Sequence, residues 1–231
     1  PHLRAGDRYL ATDISSEMLE KLRGSLSAAS FQVETAVAPA DRLPMADGCA
    51  DAVVINSALH HFPDVPNALR EAARVLKPGG LLAVMHEPNV RFARSPFFRQ
   101  VARFASVLAA RIDPKGSVKK PDYAPVFDHT NRRLLEQGLI RGPLSSSDIQ
   151  ALVDVHSPTA RGHYEEVGFD PVIWQDGQFT GWTVEQSETY NFLGKLDPAA
   201  RPWRRVLERL FSRLAPRSGS LFSIVWRKPL P

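Results

Sequence analysis

The sequence is nearly free of cysteine. Cys49 stands alone among 231 residues, so no internal disulfide can form and no cysteine pair can hold zinc. A lone thiol fits a reducing cytoplasm, the location expected here. No apolar run approaches the ~20 residues that cross a bilayer, so stable membrane insertion is not expected. No basic segment followed by an apolar stretch opens the chain, as a secretory signal would. Gly-x-Gly-x-x-Gly and His-x-x-x-His are both missing, and with them the dinucleotide fingerprint and a common zinc pair. His129, His156 and His163 lack metal-ligand spacing, and no metal is expected. There is no repeat at solenoid periods, and no aromatic-basic motif that would make nucleic acid a partner.

What is present suits a globular domain. Hydrophobic residues make up 43% of the chain and the net charge is +4. The basic excess is local, with eleven Lys/Arg against four Asp/Glu from Arg91 to Arg141. Such a patch suits an anionic molecule or peripheral contact with an acidic membrane. The alternative is a solvated, Arg-rich helical surface.

The pattern alternates strand and helix. Residues 8–12 read as a strand ending at Asp13. Ser15-Ser16-Glu17 then starts a helix with Met18, Leu19, Leu22 and Leu26 on one face. Residues 31–37 alternate as a strand with Phe31, Val33, Thr35 and Val37 on one side. Asp51 to Ile55 is an apolar run expected to be buried on both faces. Asp64 caps a helix whose core face is Ala68, Leu69, Ala72, Val75 and Leu76. Lys77-Pro78-Gly79-Gly80 reads as a stop and tight turn before a strand from Leu81 to Met85. These elements predict an α/β fold, a Rossmann-like, doubly wound and mostly parallel sheet.

Residues 90–165 show no strand pattern and read as a helical insertion, a lid. One of its helices carries Phe97, Phe98, Val101, Phe104, Ala105 and Leu108; another starts at Ser147 or Asp148 and carries Ile149, Leu152 and Val153. Further on, Tyr164 to Gly168 reads as a helix end, 171–174 as a strand, 198–214 as an amphipathic helix and 221–226 as a last strand. The expected organisation is a cofactor-binding core over 1–89, the insertion over 90–165, and the rest of the sheet over 166–231.

Four segments in this order resemble the class I S-adenosylmethionine-dependent methyltransferases, of the methyltransferase type 11 and ubiquinone/menaquinone-methylase kind. They are Leu10 to Leu19, Ala38 to Met45, Asp51 to Phe62, and Arg74 to Leu81. The resemblance implies S-adenosyl-L-methionine as cofactor and a small-molecule acceptor. It also implies that the family's first strand and glycine-rich loop are not among these residues. The chain as it stands is therefore expected to bind cofactor weakly or not at all.

In open α/β sheets ligands sit beyond the carboxyl ends of the strands. There the resemblance puts Asp13 on the ribose hydroxyls and Ile14 on the adenine face. It puts Ala40 and Asp41 at the adenine edge, and Asn56 and Ser57 at the methionine portion. The alternatives are a helix-capping or turn Asp13, a core Ile14 and a solvated turn at Asp41. Pro39 departs from the family's usual Asp and has no side-chain acceptor. His60 and His61 are the candidate bases, or pack their loop. His86 and Glu87 are candidates to line the acceptor pocket, with Glu87 a further candidate base. Phe92, Phe97, Phe98 and Phe104 suggest a hydrophobic or aromatic acceptor. Two other functions stay open: a non-catalytic methyltransferase-like binding protein, and a nicotinamide-dependent oxidoreductase. The oligomeric state is not legible.

Overall fold

The structure, a computed structural model, describes residues 7–26, 32–112, 124–153, 169–177, 179–193 and 202–231. It divides into two compact units. One comprises Pro1–Val53, Phe62–Leu82 and Arg227–Pro231; the other comprises Val54–His61 and Ala83–Trp226.

The first unit opens with β1 (Arg8–Asp13), α1 (Ser16–Leu26) and β2 (Gln32–Val37). β1 and β2 pair in parallel, from Arg8 opposite Gln32 to Asp13 opposite Val37. Parallel neighbours need a crossover, and α1 supplies it. Its start is set by Ser15, whose Oγ accepts from the Met18 amide at 3.2 Å. Leu19 is buried, but Met18, expected on the same face, is 52% exposed. Phe31 lies outside the described residues.

β3 (Ala50–Asn56), α2 (Val65–Val75) and β4 (Leu76–Pro88) follow. Asp64 caps α2, with Oδ1 accepting from the Asn67 amide at 3.0 Å. Ala68, Leu69, Ala72 and Val75 are each 1% exposed or less, a buried stripe at helical spacing. Lys228 Nζ donates to the carbonyls of Ala73 and Leu76, both at 2.7 Å, satisfying helix-end acceptors with a cation. The helix stops where expected, but no separate turn follows. Leu76 is already extended and the strand includes Lys77 to Gly80. The cause is pairing: Gly79 N–H donates to the Lys228 carbonyl and Lys228 N–H to that of Gly80. A second expectation also fails. Ile55 is buried, but Val54 is 54% exposed, so β3 is not covered on both faces.

A four-stranded sheet has the order β3-β4-β6-β5, with β5 Thr183–Tyr190 and β6 Leu221–Arg227; β1 and β2 form a sheet of two. The Cys49 amide meets the Val75 carbonyl at one end of β3, and the Ser57 amide meets that of Met85 at the other. β3 and β4 are therefore parallel. Gly79 pairs near Lys228 while Asn89 N–H reaches the Ser220 carbonyl, so β6 is antiparallel to β4. The fold is α/β with a parallel-rich strand arrangement.

In the second unit α3 (Val90–Arg94), α4 (Pro96–Ile112), α5 (Ala124–Glu136) and α6 (Ser146–Val153) are helices. Their apolar faces are less buried than the pattern predicted: Ala105 and Ile149 are buried, whereas Phe97, Phe104, Leu152 and Val153 are exposed. Among the described residues no helix is long and apolar enough to cross a membrane. Residues 171–174 are not a strand but part of α7 (Pro171–Gly177). Asp170 Oδ1 accepts from the Val172 amide at 2.9 Å and proline at the first position suits a helix start. The strand is β5 instead, whose sequence TVEQSETY has little apolar content to announce it. α8 (Pro202–Leu214) forms, yet Val206, Leu210 and Leu214 on its apolar face are exposed. The expected helix end at 164–168 lies outside the described residues.

Two glycines give opposite expectations. A Cβ on Gly219 would collide with backbone atoms of Tyr190 and Thr189, whereas one on Gly24, inside α1, meets nothing within 4 Å. Gly219→Ala should destabilise by on the order of 3 kcal/mol and Gly24→Ala should stabilise by about 0.5–1 kcal/mol. Urea denaturation of the two variants measures both signs.

Candidate active site

Asp13 closes β1 and its side chain already has work. Oδ1 accepts from the Ser15 amide at 2.8 Å, and its carbonyl accepts from Ala38 N–H at 3.0 Å. The turn alternative is thus realised, but among the described residues Oδ2 makes no hydrogen bond. Ile14, next in sequence, is 77% exposed, which removes the core-residue alternative. An acceptor beside an exposed apolar side chain suits a nucleoside, with hydroxyls to bind and a flat face to cover. Ala40 and Asp41 sit in the turn after β2, Asp41 exposed. Among the described residues neither the Ala40 amide nor the Asp41 carboxylate makes a hydrogen bond.

That turn leads into a loop held by one arginine. Arg74, at the end of α2, forks onto Glu71, with Nε and Nη2 each 2.8 Å from a carboxylate oxygen. Nη2 also donates to the Met45 carbonyl at 2.9 Å, and Nη1 pairs with Asp47. Glu71 Oε1 in turn accepts from the Leu43 amide at 2.7 Å. The side-chain hydrogen bond from Arg74 holds the Glu71 carboxyl below the usual carboxylate range, against burial and helped by the Leu43 amide. The same pair, with Asp47, raises the Arg74 guanidinium.

The second unit carries the other candidates. Asn56 and Ser57 are exposed at the end of β3. Ser57 has φ 51° and His86, in β4, has φ 59°. Both lie in the left-handed region that non-glycine residues seldom occupy. The Ser57 amide donates to the Met85 carbonyl at 2.7 Å, so the two strained positions adjoin. His86 is exposed; its amide donates to Tyr190 Oη at 3.1 Å, and its ring meets that of Tyr190 edge-on. Tyr190 Oη also bonds Ser223 Oγ at 2.8 Å. Burial pushes the Tyr190 phenol up.

Glu87 does not line a pocket. It has no exposed surface. Oε1 accepts from the amides of Ala58 and Leu59 at 2.9 and 3.0 Å. Oε2 accepts from the His60 amide at 3.2 Å and faces His60 Nδ1 at 2.8 Å. These donors open the short 3-10 turn Leu59–His61. The expectation of Glu87 as an acceptor-lining base is corrected: both oxygens are committed inside the protein. Its role was missed, though a carboxylate following the apolar run Leu81 to Met85 signals a paired charge. Tyr190 and Ser223 had no such signal. His61 is exposed and its Nδ1 lies 2.9 Å from the Val153 carbonyl. Its ring centroid is 4.0 Å from that of His60.

A model of the methyltransferase domain matches residues 1–84. Over those residues the chain is similar to the methyltransferases. Curated relatives are similar over part of the chain. An uncharacterized Escherichia coli protein, YafE, is 40% identical over 77 residues, covering 33% of this chain and 37% of its own. The ubiquinone/menaquinone biosynthesis C-methyltransferase UbiE of Chromobacterium violaceum is 37% identical over 95 residues, 41% of this chain and 38% of its own. The chain thus spans under two fifths of the length of these relatives. UbiE of Klebsiella pneumoniae is 29% identical over 158 residues, 66% of this chain and 60% of its own. Among solved structures, a Methanosarcina mazei methyltransferase aligns with 99% of this chain and 95% of its own at 14% identity and a TM-score of 0.45.

In family terms, the Arg74 fork ties the fourth matching segment to the second. Its strength depends on an ionised Glu71. A carboxyl held low in the folded state contributes stability above its unfolded value of about 4.3, and that contribution is lost as pH falls through the folded value. Glu71→Gln should lower stability at pH 7 and lose less on acidification from about pH 6 to about pH 3 than the parent does. Urea midpoints across that range measure this, and parallel profiles would rule it out.

Proposed function

We propose that the protein carrying this chain transfers a methyl group from S-adenosyl-L-methionine to a small, hydrophobic or aromatic acceptor. The observation that carries the reading is Asp13: a β1-terminal carboxylate with an oxygen that makes no hydrogen bond among the described residues, beside exposed Ile14, inside a segment that matches the methyltransferase domain. The proposed contacts in this unit are Asp13 to the ribose hydroxyls, Ile14 to the adenine face, and the Ala40 amide and Asp41 to the adenine edge. A carboxylate accepting from two hydroxyls makes charge-assisted bonds. Asn56 and Ser57 keep the role implied by the resemblance. When bound, the cofactor supplies an activated methyl group on a sulfonium. The residues around it must orient the acceptor, exclude water and take up any proton released.

The acceptor class draws support from relatives named as ubiquinone/menaquinone C-methyltransferases, which suggests a quinone-like ring. Phe97 and Phe104, 63% and 70% exposed on α4, supply apolar surface for such a molecule within the helical segment proposed as a lid. A cytoplasmic location accords with the single cysteine.

Calorimetry of the whole protein with S-adenosylhomocysteine tests the cofactor claim. Binding should be measurable, and Asp13→Ala should weaken it about 10- to 100-fold, the loss of about 1.4–2.7 kcal/mol typical of charge-assisted hydrogen bonds. No heat at millimolar ligand would sink the reading. Binding without transfer to any quinol or phenol offered would point instead to a non-catalytic binding protein.

A further inference from the structure

Glu87 is a carboxylate with no contact with water, and the protein alone must satisfy it. Three of its four neighbours are backbone amides, of Ala58, Leu59 and His60. Amides only donate, so both carboxylate oxygens meet them as acceptors. The fourth neighbour is His60 Nδ1, 2.8 Å from Oε2, the oxygen that also takes the His60 amide. A carboxylate oxygen has no proton to give, so it faces a ring nitrogen at that distance as the acceptor, with the proton on the nitrogen. In the neutral ring the lone pair then belongs to Nε2. The His60 side chain keeps 14% of its surface exposed, and among the described residues no hydrogen bond reaches Nε2.

We propose that Glu87 is a positioning residue that holds His60 as the Nδ1–H tautomer, making Nε2 the proton acceptor for a substrate whose reacting atom carries a proton: a phenol, an enol or an amine. The proposal rests on the methyltransferase reading for its purpose, but not for its geometry. In the step, the substrate's O–H or N–H bond breaks and an Nε2–H bond forms. The electron pair stays on the substrate atom, which becomes the nucleophile. The ring becomes an imidazolium, and its new positive charge lies against the Glu87 carboxylate. The proton later leaves to solvent.

The neighbourhood favours His60 over His61 for this. The His61 Nδ1 lies against the Val153 carbonyl, whereas the His60 Nδ1 faces the Glu87 carboxylate, whose charge can balance an imidazolium. Tyr190 is a further titratable group near the carboxylate. Burial pushes its phenol up, and the charge of Glu87 adds to that, so it stays neutral at pH 7 and does not compete.

The test reads the proton directly. In protein labelled with nitrogen-15 histidine, two-bond nitrogen–proton couplings distinguish the tautomers, with His60→Gln assigning the signal. Neutral His60 should show the proton on Nδ1. In Glu87→Gln the amide nitrogen can turn a donor toward the ring, so the proton should move to Nε2. A parent spectrum with neutral His60 protonated at Nε2 would overturn the proposal, even if Glu87→Gln does not fold. In turnover, Glu87→Gln should lower kcat about 10²- to 10⁴-fold, the range for a positioned base, with KM nearly unchanged. It should also shift the acidic limb of the pH profile. An unshifted limb would leave Glu87 a structural role only and refute its positioning one. Loss of S-adenosylhomocysteine binding in the parent would remove the methyltransferase reading, whereas binding with the wrong tautomer would remove only this inference.

Discussion

A charge sealed from water has to be met by the protein itself, and the second unit is arranged around that requirement at Glu87. The desolvation of a carboxylate costs several kcal/mol, offset here by three amides and an imidazole. Because the amides are consecutive, the constraint passes to the backbone. Ala58, Leu59 and His60 cannot move without leaving a buried acceptor unpaired. The loop after β3 is thereby fixed to the end of β4, and the His60 ring inherits its orientation from the same contact.

The first unit solves a similar problem with the opposite charge and more water. Arg74 gathers Glu71, Asp47 and the carbonyl of Met45, while Glu71 takes the Leu43 amide. Its side chain is 33% exposed where that of Glu87 is not exposed at all. Screening by salt therefore reaches the Arg74 network far more than it reaches Glu87. One loop is set by a screened, adjustable cluster and the other by a contact that salt hardly touches.

Sequence pattern revealed those parts of the fold whose residues face one consistent environment. α2 was legible because Ala68, Leu69, Ala72 and Val75 are all buried against it, and its Asp64 cap is local. β6 was legible through Phe222, Ile224 and Trp226. β5 was not, since six of its eight residues are charged or carry hydroxyls and it is defined by pairing with β6. Pro171 to Trp174 looked like a strand because four residues are too few to distinguish periods of 2 and 3.6; the deciding cap, Asp170, lies just outside them. The same limit applied to the site. Asp13 was legible because its position follows from strand ends. Glu87 was misassigned because a carboxylate after a strand looks alike whether it faces a ligand or the interior.

Strain helps to separate those two outcomes. Ser57 and His86 both hold left-handed backbone conformations that cost non-glycine residues on the order of 1–3 kcal/mol. If chain reversal alone were required, glycine would serve at no such cost, as it does at Gly79 with φ 76°. Side chains retained at strained positions imply that the side chains matter. Strain by itself does not identify a site: Asn191 also has φ 68°, and Glu208 takes the amides of Phe192 and Leu193 beside it. What distinguishes the β3–β4 loop is coincidence: two left-handed residues adjoin a buried charge, and that charge is spent on orienting one histidine. A loop built only to connect would need neither feature. Together they describe a part of the protein stabilised for the direction in which the His60 ring points.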